Sequence, residues 1–341
     1  MSETNMSQRK LDHIALALGP RSQFDTPTGF EHLHFVHQAL PEISLEEIDL
    51  SCEFLGKKLA APLLIASMTG GPIQGGRINQ DLAQAAQNAG IGMGVGSQRI
   101  MFVDPTSHAS FDLRKYAPDI LLLANLGAVQ LNCGFDDSHC RQAVEMIGAD
   151  ALYLHLNPLQ EAIQPEGDTH FKDLWPKIEA LCKDLPFPLL LKECGCGLSS
   201  ELAKKAAQAG VAALEISGAG GTSWSLIESQ RSTDPLRRQL GETFANWGIP
   251  TPLSLQLCRQ GAPEMPLIAS GGIRTGLDAA KAIAMGAHLV SVAQPFLKAA
   301  TESPEAVAAR IQLFLMELRV AMFCVGARNL SELRGKELIR F

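Results

Sequence analysis

Residues 188–218 read "PLLLKECGCGLSSELAKKAAQAGVAALEISG". An aliphatic run at Leu189–Leu191 is followed by an alanine-rich stretch of helical spacing that closes on Gly210, and then by a second short apolar run, "AALEIS". A glycine there suits the left-handed position just past a helix. The segment is therefore strand, helix, glycine, strand. Both strands are continuously apolar instead of alternating, so they are expected to be buried on both faces, as in a parallel sheet covered by helices.

The same unit recurs along the chain. Further apolar runs are "PLLIAS" (62–67), "IGMGVGS" (91–97), "ILLLANLG" (120–127), "ALYLHLN" (151–157), "PLIASGG" (266–272) and "LVSVAQ" (289–294), which with the two above make eight. Stretches such as "NQDLAQAAQNAG" (79–90) and "GLDAAKAIAMGA" (276–287) supply the helices between them. Eight consecutive units predict an α/β fold, a closed (β/α)8 TIM barrel, for which about 250 residues is typical. A doubly wound open sheet is the alternative, and it requires a crossover that reverses the strand order. The 341 residues then read as one domain, with an N-terminal extension over 1–58 and a long insertion after the sixth strand over 219–262. Ser303 caps the last helix, Pro304 opens it, and Val307, Ile311, Phe314, Leu315 and Leu318 fall at core spacing.

Composition narrows the function. The chain is 46% hydrophobic and 19% charged with a formal charge of −7, which fits a globular protein with one large core. No block of Lys and Arg neutralises many phosphates, so nucleic-acid binding is not expected. No apolar run reaches the roughly 18 residues of a membrane span, and the charged start "MSETNMSQRKLDH" is unlike a secretory signal, so no membrane association and a cytoplasmic location are expected. The eight cysteines are scattered, with Cys194 and Cys196 spaced C-x-C, which fits reduced thiols better than a disulfide frame or a zinc site.

In such a barrel the active site lies where the strands end. The exits here are polar almost throughout: Ser67 and Thr69, Ser97 to Arg99, Asn125, His155 to Glu161, Lys192, Ser217 to Thr222, Gly271 to Arg274, and Ala293 with Gln294. Gly271, Gly272 and Arg274, followed by the eighth exit, fall where this fold commonly holds a phosphate on backbone N–H groups and a helix N-terminus. Lys192 ends an apolar strand, where an ammonium calls for an anionic partner. That partner is either Glu193 or Glu215, or a cofactor ring whose negative charge the lysine stabilises. With Thr69, Ser97 and Asn125 beside it, this pattern describes an FMN site.

The chain resembles the type 2 isopentenyl diphosphate isomerases, FMN-dependent barrels, in "RKLDH" (9–13), "SMTGG" (67–71), "GVGSQR" (94–99), "NLG" (125–127), "HLNPLQE" (155–161), "KECGCG" (192–197), "ISGAGGTSW" (216–224) and "SGGIRTG" (270–276). The resemblance implies that Ser67, Met68, Thr69, Ser97, Asn125, Lys192, Ser217 and Thr222 contact the flavin, and that Gly271, Gly272, Arg274, Ala293 and Gln294 surround its phosphate. It implies that Arg9, Lys10 and Arg99, with His155 and Asn157, hold a substrate diphosphate, that Gln160 lies at the reacting carbons, and that Glu161 binds Mg2+. Gln160 and Lys192 are then the catalytic pair. Gln160 cannot titrate near neutral pH and so orients instead of donating. Further implications are reduced FMN as the active form, NADPH or NADH as reductant, and a homo-oligomer, a tetramer or octamer.

Several residues keep two readings. His13 is either part of the site or a structural residue of the arm; Trp224 either lines the substrate pocket or packs the insertion. "HLHFVH" (32–37) looks like a metal cluster but reads better as an extended segment. Two other functions share the fold. A flavin-dependent 2-hydroxy-acid oxidase needs a His and Arg pair after the sixth or seventh strand, and "EISGAGGTSW" offers no histidine. A non-catalytic flavin- or phosphate-binding barrel would show damaged cationic or metal positions, whereas Arg9, Lys10, Gln160, Glu161 and Lys192 are all present.

Overall fold

The eight apolar runs are the eight strands of a closed parallel barrel in a computed structural model that describes residues 3–340. They are β1 (Leu63–Ile65), β2 (Gly92–Gly94), β3 (Leu122–Gly127), β4 (Ala151–Leu156), β5 (Leu189–Glu193), β6 (Ala213–Glu215), β7 (Leu267–Ala269) and β8 (Leu289–Val292). Each pairs with its sequence neighbours, and β8 closes on β1 through Val292↔Ile65. No strand order is reversed, which settles the choice between barrel and open sheet.

Within each continuously apolar strand the side chains still alternate. In β5, Leu189 and Leu191 join the large outer core beneath the helices, while Leu190 belongs to a separate inner cluster. That inner cluster gathers Leu64, Leu121, Leu123, Ala151, Tyr153, Leu190, Ala213, Ile268 and Leu289 from around the barrel. Its lower end is closed by a hairpin of the N-terminal extension, Cys52–Phe54 paired antiparallel with Lys57–Leu59, which inserts Phe54 and Leu59. Further along the strands the inward positions turn polar, as Asn125, His155, Lys192, Glu215, Ser270 and Ser291.

The outer layer comes from the alanine-rich helices. These include α2 (Ile73–Ala89), α3 (Asp137–Glu145), α5 (Leu174–Asp184), α6 (Ser200–Gln208), α10 (Gly276–Ala284), α11 (Gln294–Glu302) and the long α12 (Pro304–Cys324). In α6, Ser199 caps the Leu202 N–H, Glu201 pairs with Lys205, and Gly210 beyond the helix has φ +83°, a left-handed value that glycine adopts without strain. Val307, Ile311, Phe314 and Leu318 of α12 are buried as their spacing predicts, and Leu315 is half-buried.

The remaining segments frame the mouth. Helix α1 (Glu3–Ala17) contacts α2 and α7 (Trp224–Arg231). The segment 219–262 contains α7, α8 (Pro235–Thr243) and α9 (Thr251–Gly261). Of these α9 packs on α6 and leads into β7, so it is the barrel's own sixth helix, and the added material is α7 with α8. Leu33–Phe35, from the "HLHFVH" stretch, is extended and pairs with Leu338–Arg340. Among the described residues no helix is long and apolar enough to cross a membrane.

The hairpin plug is testable. Phe54 is only 5% exposed, and Phe54→Ala should lower unfolding stability by about 3–5 kcal/mol in urea titration. A loss below about 1 kcal/mol would mean that the plug does not close the barrel.

Candidate active site

One cavity of about 1650 Å³, counting the space open to solvent, lies at the C-terminal ends of the strands. Arg9, Lys10, Ser67, Met68, Thr69, Ser97, Arg99, Asn125, His155, Asn157, Gln160, Glu161, Lys192, Ser217, Thr222, Gly271, Gly272, Arg274, Ala293 and Gln294 all line it. Segments more than 280 positions apart in the chain thus share one space because parallel strands all end on the same side.

At the floor, hydrogen bonds fix protonation. The Asn125 amide donates to the Val95 carbonyl at 3.0 Å, which turns its oxygen toward His155 Nδ1 at 2.8 Å. That nitrogen must then carry the proton, leaving Nε2 as a lone pair. Burial, aided by the Lys192 charge, lowers the His155 pKa to about 3, so the ring is neutral at ordinary pH. The Lys192 ammonium donates to the Glu193 carbonyl at 2.7 Å. The Glu193 carboxylate points elsewhere, accepting from the backbone N–H groups of Cys194 and Gly195, each at 2.6 Å, and of Cys196.

One side of the mouth gathers cations around buried carboxylates, the first of them Glu161. Short helix α4 (Pro158–Ile163) starts directly after β4 and buries Glu161, whose oxygens accept from the amides of Asn157 at 2.9 Å and Gln164 at 2.5 Å and from Asp168 N–H at 2.7 Å. Asn157 Oδ1 is buried beside it without a hydrogen-bond partner. Arg99 pairs with Asp168 at 2.7 Å, and Gln130 donates to the same carboxylate oxygen.

The N-terminal arm completes this side. Lys10 donates to the carbonyls of Gly70 at 2.6 Å and Ser97 at 3.0 Å and lies over the Phe111 ring. Burial, then the Arg9 charge, lowers its pKa to about 7. His13 donates to Glu228 at 2.9 Å and meets the Trp224 ring edge-on, so His13 and Trp224 both pack at the arm and both line the cavity.

Glu228, on α7, is the residue that the sequence reading missed. It is fully buried and accepts from His13, from the Gln160 amide at 3.0 Å and from Arg231 at 3.2 Å. Burial opposes its charge, but His13, Gln160 and Arg231 outweigh that and hold its carboxyl below the ordinary range. Nothing in "SWSLIESQRS" sets this glutamate apart; only the fold brings it to Gln160.

The opposite side of the mouth, at β6 to β8, is a backbone cradle. Gly271 has φ +98°, and a Cβ there would lie 2.1 Å from the Gly218 carbonyl; at Gly272, with φ +70°, one would strike Thr28 at 2.2 Å. Only glycine permits this approach. Helix α11 begins at Gln294 and points its N-terminus into the same region. Arg274 is held by the Gln23 side chain at 2.5 Å, a contact between residues 251 positions apart.

The fold and site define a class of flavin barrels: the family model for FMN-dependent dehydrogenases matches residues 3–110 and 140–340. Solved structures of similar fold include a mandelate oxidase (TM-score 0.68, 17% identity, 100% of this chain and 99% of that one) and a lactate oxidase from Pediococcus acidilactici (TM-score 0.71, 16% identity, 100% and 95%). Sequence relatives are more specific. Isopentenyl-diphosphate delta-isomerases from Synechococcus sp. and Rickettsia felis are 53% and 46% identical, over 99% and 97% of this chain and 98% and 96% of theirs. The chain belongs to the FMN-dependent, type 2, isopentenyl-diphosphate delta-isomerases.

The fixed tautomer gives a spectroscopic expectation. In ¹⁵N-labelled protein without ligand, His155 should stay neutral and Nδ1-protonated from pH 8 to pH 5. Between its unfolded value near 6.5 and about 3, only the unfolded chain takes up this proton, so acid lowers stability through His155. Titration of His155 near pH 6.5 would contradict the assigned hydrogen bonds.

Proposed function

We propose that the cavity binds FMN and isopentenyl diphosphate together and interconverts the substrate with dimethylallyl diphosphate, using FMN in its reduced form and Mg2+. The observation that carries this reading is that one cavity has two anion-binding ends. Arg9, Lys10 and Arg99 gather with Glu161 over β1 to β4, and the glycine cradle with Arg274 lies across the barrel at β6 to β8. One phosphate-bearing ligand does not need both.

The residues fit each absent group. For FMN, Ser67 Oγ, Thr69 Oγ1 and Ser291 Oγ are buried at the cavity without hydrogen-bond partners, ready for the polar edge and hydroxyls of a flavin. Gly271, Gly272 and the α11 N-terminus suit its phosphate. For Mg2+, the donors are hard oxygens only, Glu161 with the unpartnered Asn157 Oδ1 beside it. A magnesium ion held by so few protein ligands completes its shell with substrate phosphate and water.

When bound, reduced FMN would supply proton exchange at the alkene, with NADPH or NADH as the source of its electrons and no net oxidation of substrate. The chain does the rest. Arg9, Lys10 and Arg99 fix the diphosphate end, which orients the isoprenyl tail toward Gln160. A neutral His155 offers only a lone pair, so contact with a diphosphate oxygen requires that it take up a proton as the anion binds. Glu228 accepts from the Gln160 amide nitrogen at 3.0 Å and Asn157 donates to its carbonyl oxygen at 3.1 Å, so both ends of the side chain proposed to lie at the reacting carbons are fixed. Helices α1 and α7 exclude water from a site where alkene protonation generates positive charge.

The test is direct. Purified protein should be yellow and, with NADPH and Mg2+ under anaerobic conditions, should convert isopentenyl diphosphate. Glu161→Gln should lower turnover about 100-fold and blunt the Mg2+ dependence while the flavin stays bound. Loss of flavin in that variant would count against the metal role; an inert, folded, flavin-loaded wild type would count against the isomerase reading. Lys10→Met should raise KM more than it lowers kcat.

A further inference from the structure

We propose that Glu215 is the fixed counter-charge of Lys192, a positioning residue that keeps the lysine ammonium charged at the cofactor ring in both redox states of the flavin. The inference rests on the FMN reading given above. Lys192 and Glu215 are paired in register on β5 and β6, both line the cavity, and both are buried, at 6% and 1% exposure.

The other groups around Lys192 do not balance it. Glu193, next in the chain, offers its carbonyl at 2.7 Å, while its carboxylate is committed to three backbone N–H groups and is pushed by burial up to about 7. The Cys194 sulfur lies 4.0 Å away, but burial raises that thiol to about 12, so it is uncharged. On β4, His155 is neutral and Tyr153 stays a phenol, its pKa raised by burial and by Glu215.

Glu215 is the complementary half. Its Oε2 is buried beside the Tyr153 hydroxyl, and neither atom closes a hydrogen bond of good geometry, so the neutral phenol leaves the Glu215 charge unbalanced. A carboxylate in such a layer is tolerated only where a positive charge faces it. Lys192 supplies that charge across the strand pair. Burial opposes the Lys192 charge, and the acidic groups around it, Cys194, Glu215 and Glu193, hold its pKa above the ordinary lysine value; with the Cys194 thiol protonated, the carboxylates are left to carry that effect at ordinary pH.

The consequence is a proton count. With Glu215 present, Lys192 is charged before and after two-electron reduction of the flavin, so forming its anionic reduced state takes up two electrons and one proton. In Glu215→Gln, Lys192 is neutral beside the oxidised ring and takes up a second proton when the ring becomes anionic. Potentiometric titration with a mediator dye supplying the electrons should show the slope of midpoint potential against pH doubling in Glu215→Gln and returning to wild type in Glu215→Asp. Equal slopes in wild type and Glu215→Gln, with flavin bound in both, would overturn the inference alone. A wild-type chain that binds no FMN would overturn the underlying cofactor reading as well.

A second measurement needs no cofactor. In flavin-free protein, Lys192→Met and Glu215→Gln should each lower the melting temperature, and the double variant should recover most of the loss, because it leaves no uncompensated buried charge. If Glu215→Gln alone fails to fold, a folded double variant is the expected result. Additive losses, or a double variant that also fails, would overturn the pairing.

Discussion

Charge inside a closed barrel has nowhere to go, and this constraint organises the molecule. Eight strands supply an interior that is apolar below, where Phe54 and Leu59 seal it, and polar above, where Asn125, His155, Lys192 and Glu215 face one another. Each polar group must find a partner from a neighbouring strand or from a ligand. The resulting network fixes His155 as a neutral ring and turns Glu193 away from Lys192 onto its own loop.

The mouth is built differently from the floor. Floor residues sit on strands whose positions the barrel dictates, whereas the walls come from α1 and α7, which lie outside the repeating units. Polar bonds hold these walls to the barrel: Lys10 to two loop carbonyls, His13 to Glu228, and Glu228 to Gln160. A single buried carboxylate on an added helix therefore connects the arm to Gln160 at the end of β4.

The barrel was legible in the sequence because apolar strands and glycine-ended helices are local patterns. Strand exits were legible too, since the fold places every strand's end on one face: Lys192 at the end of "PLLL" needs no structure to look unusual. What stayed hidden was long-range. Glu228 lies in an ordinary helical stretch, Gln23 in a loop with no pattern, and Asp168 in a segment whose only signal is polarity, yet they hold Gln160, Arg274 and Arg99. The stretch 219–262 read as one insertion because α9 resembles its neighbours in composition; its packing on α6 marks it as part of the repeat. Likewise, the uniform apolar look of "LLL" conceals that Leu190 and its two neighbours enter different cores.

The arm's anchorage has a bearing on biosynthesis. His13 and its carboxylate partner are separated by 215 residues, so the first helix leaves the ribosome long before its docking surface exists. Until α7 has been translated and folded, His13 lacks its carboxylate, and the arm can be held only through Lys10 at the loops that follow β1 and β2. The arm is thus made well before its last anchor, and the wall it forms over the cavity is completed only once most of the barrel is in place.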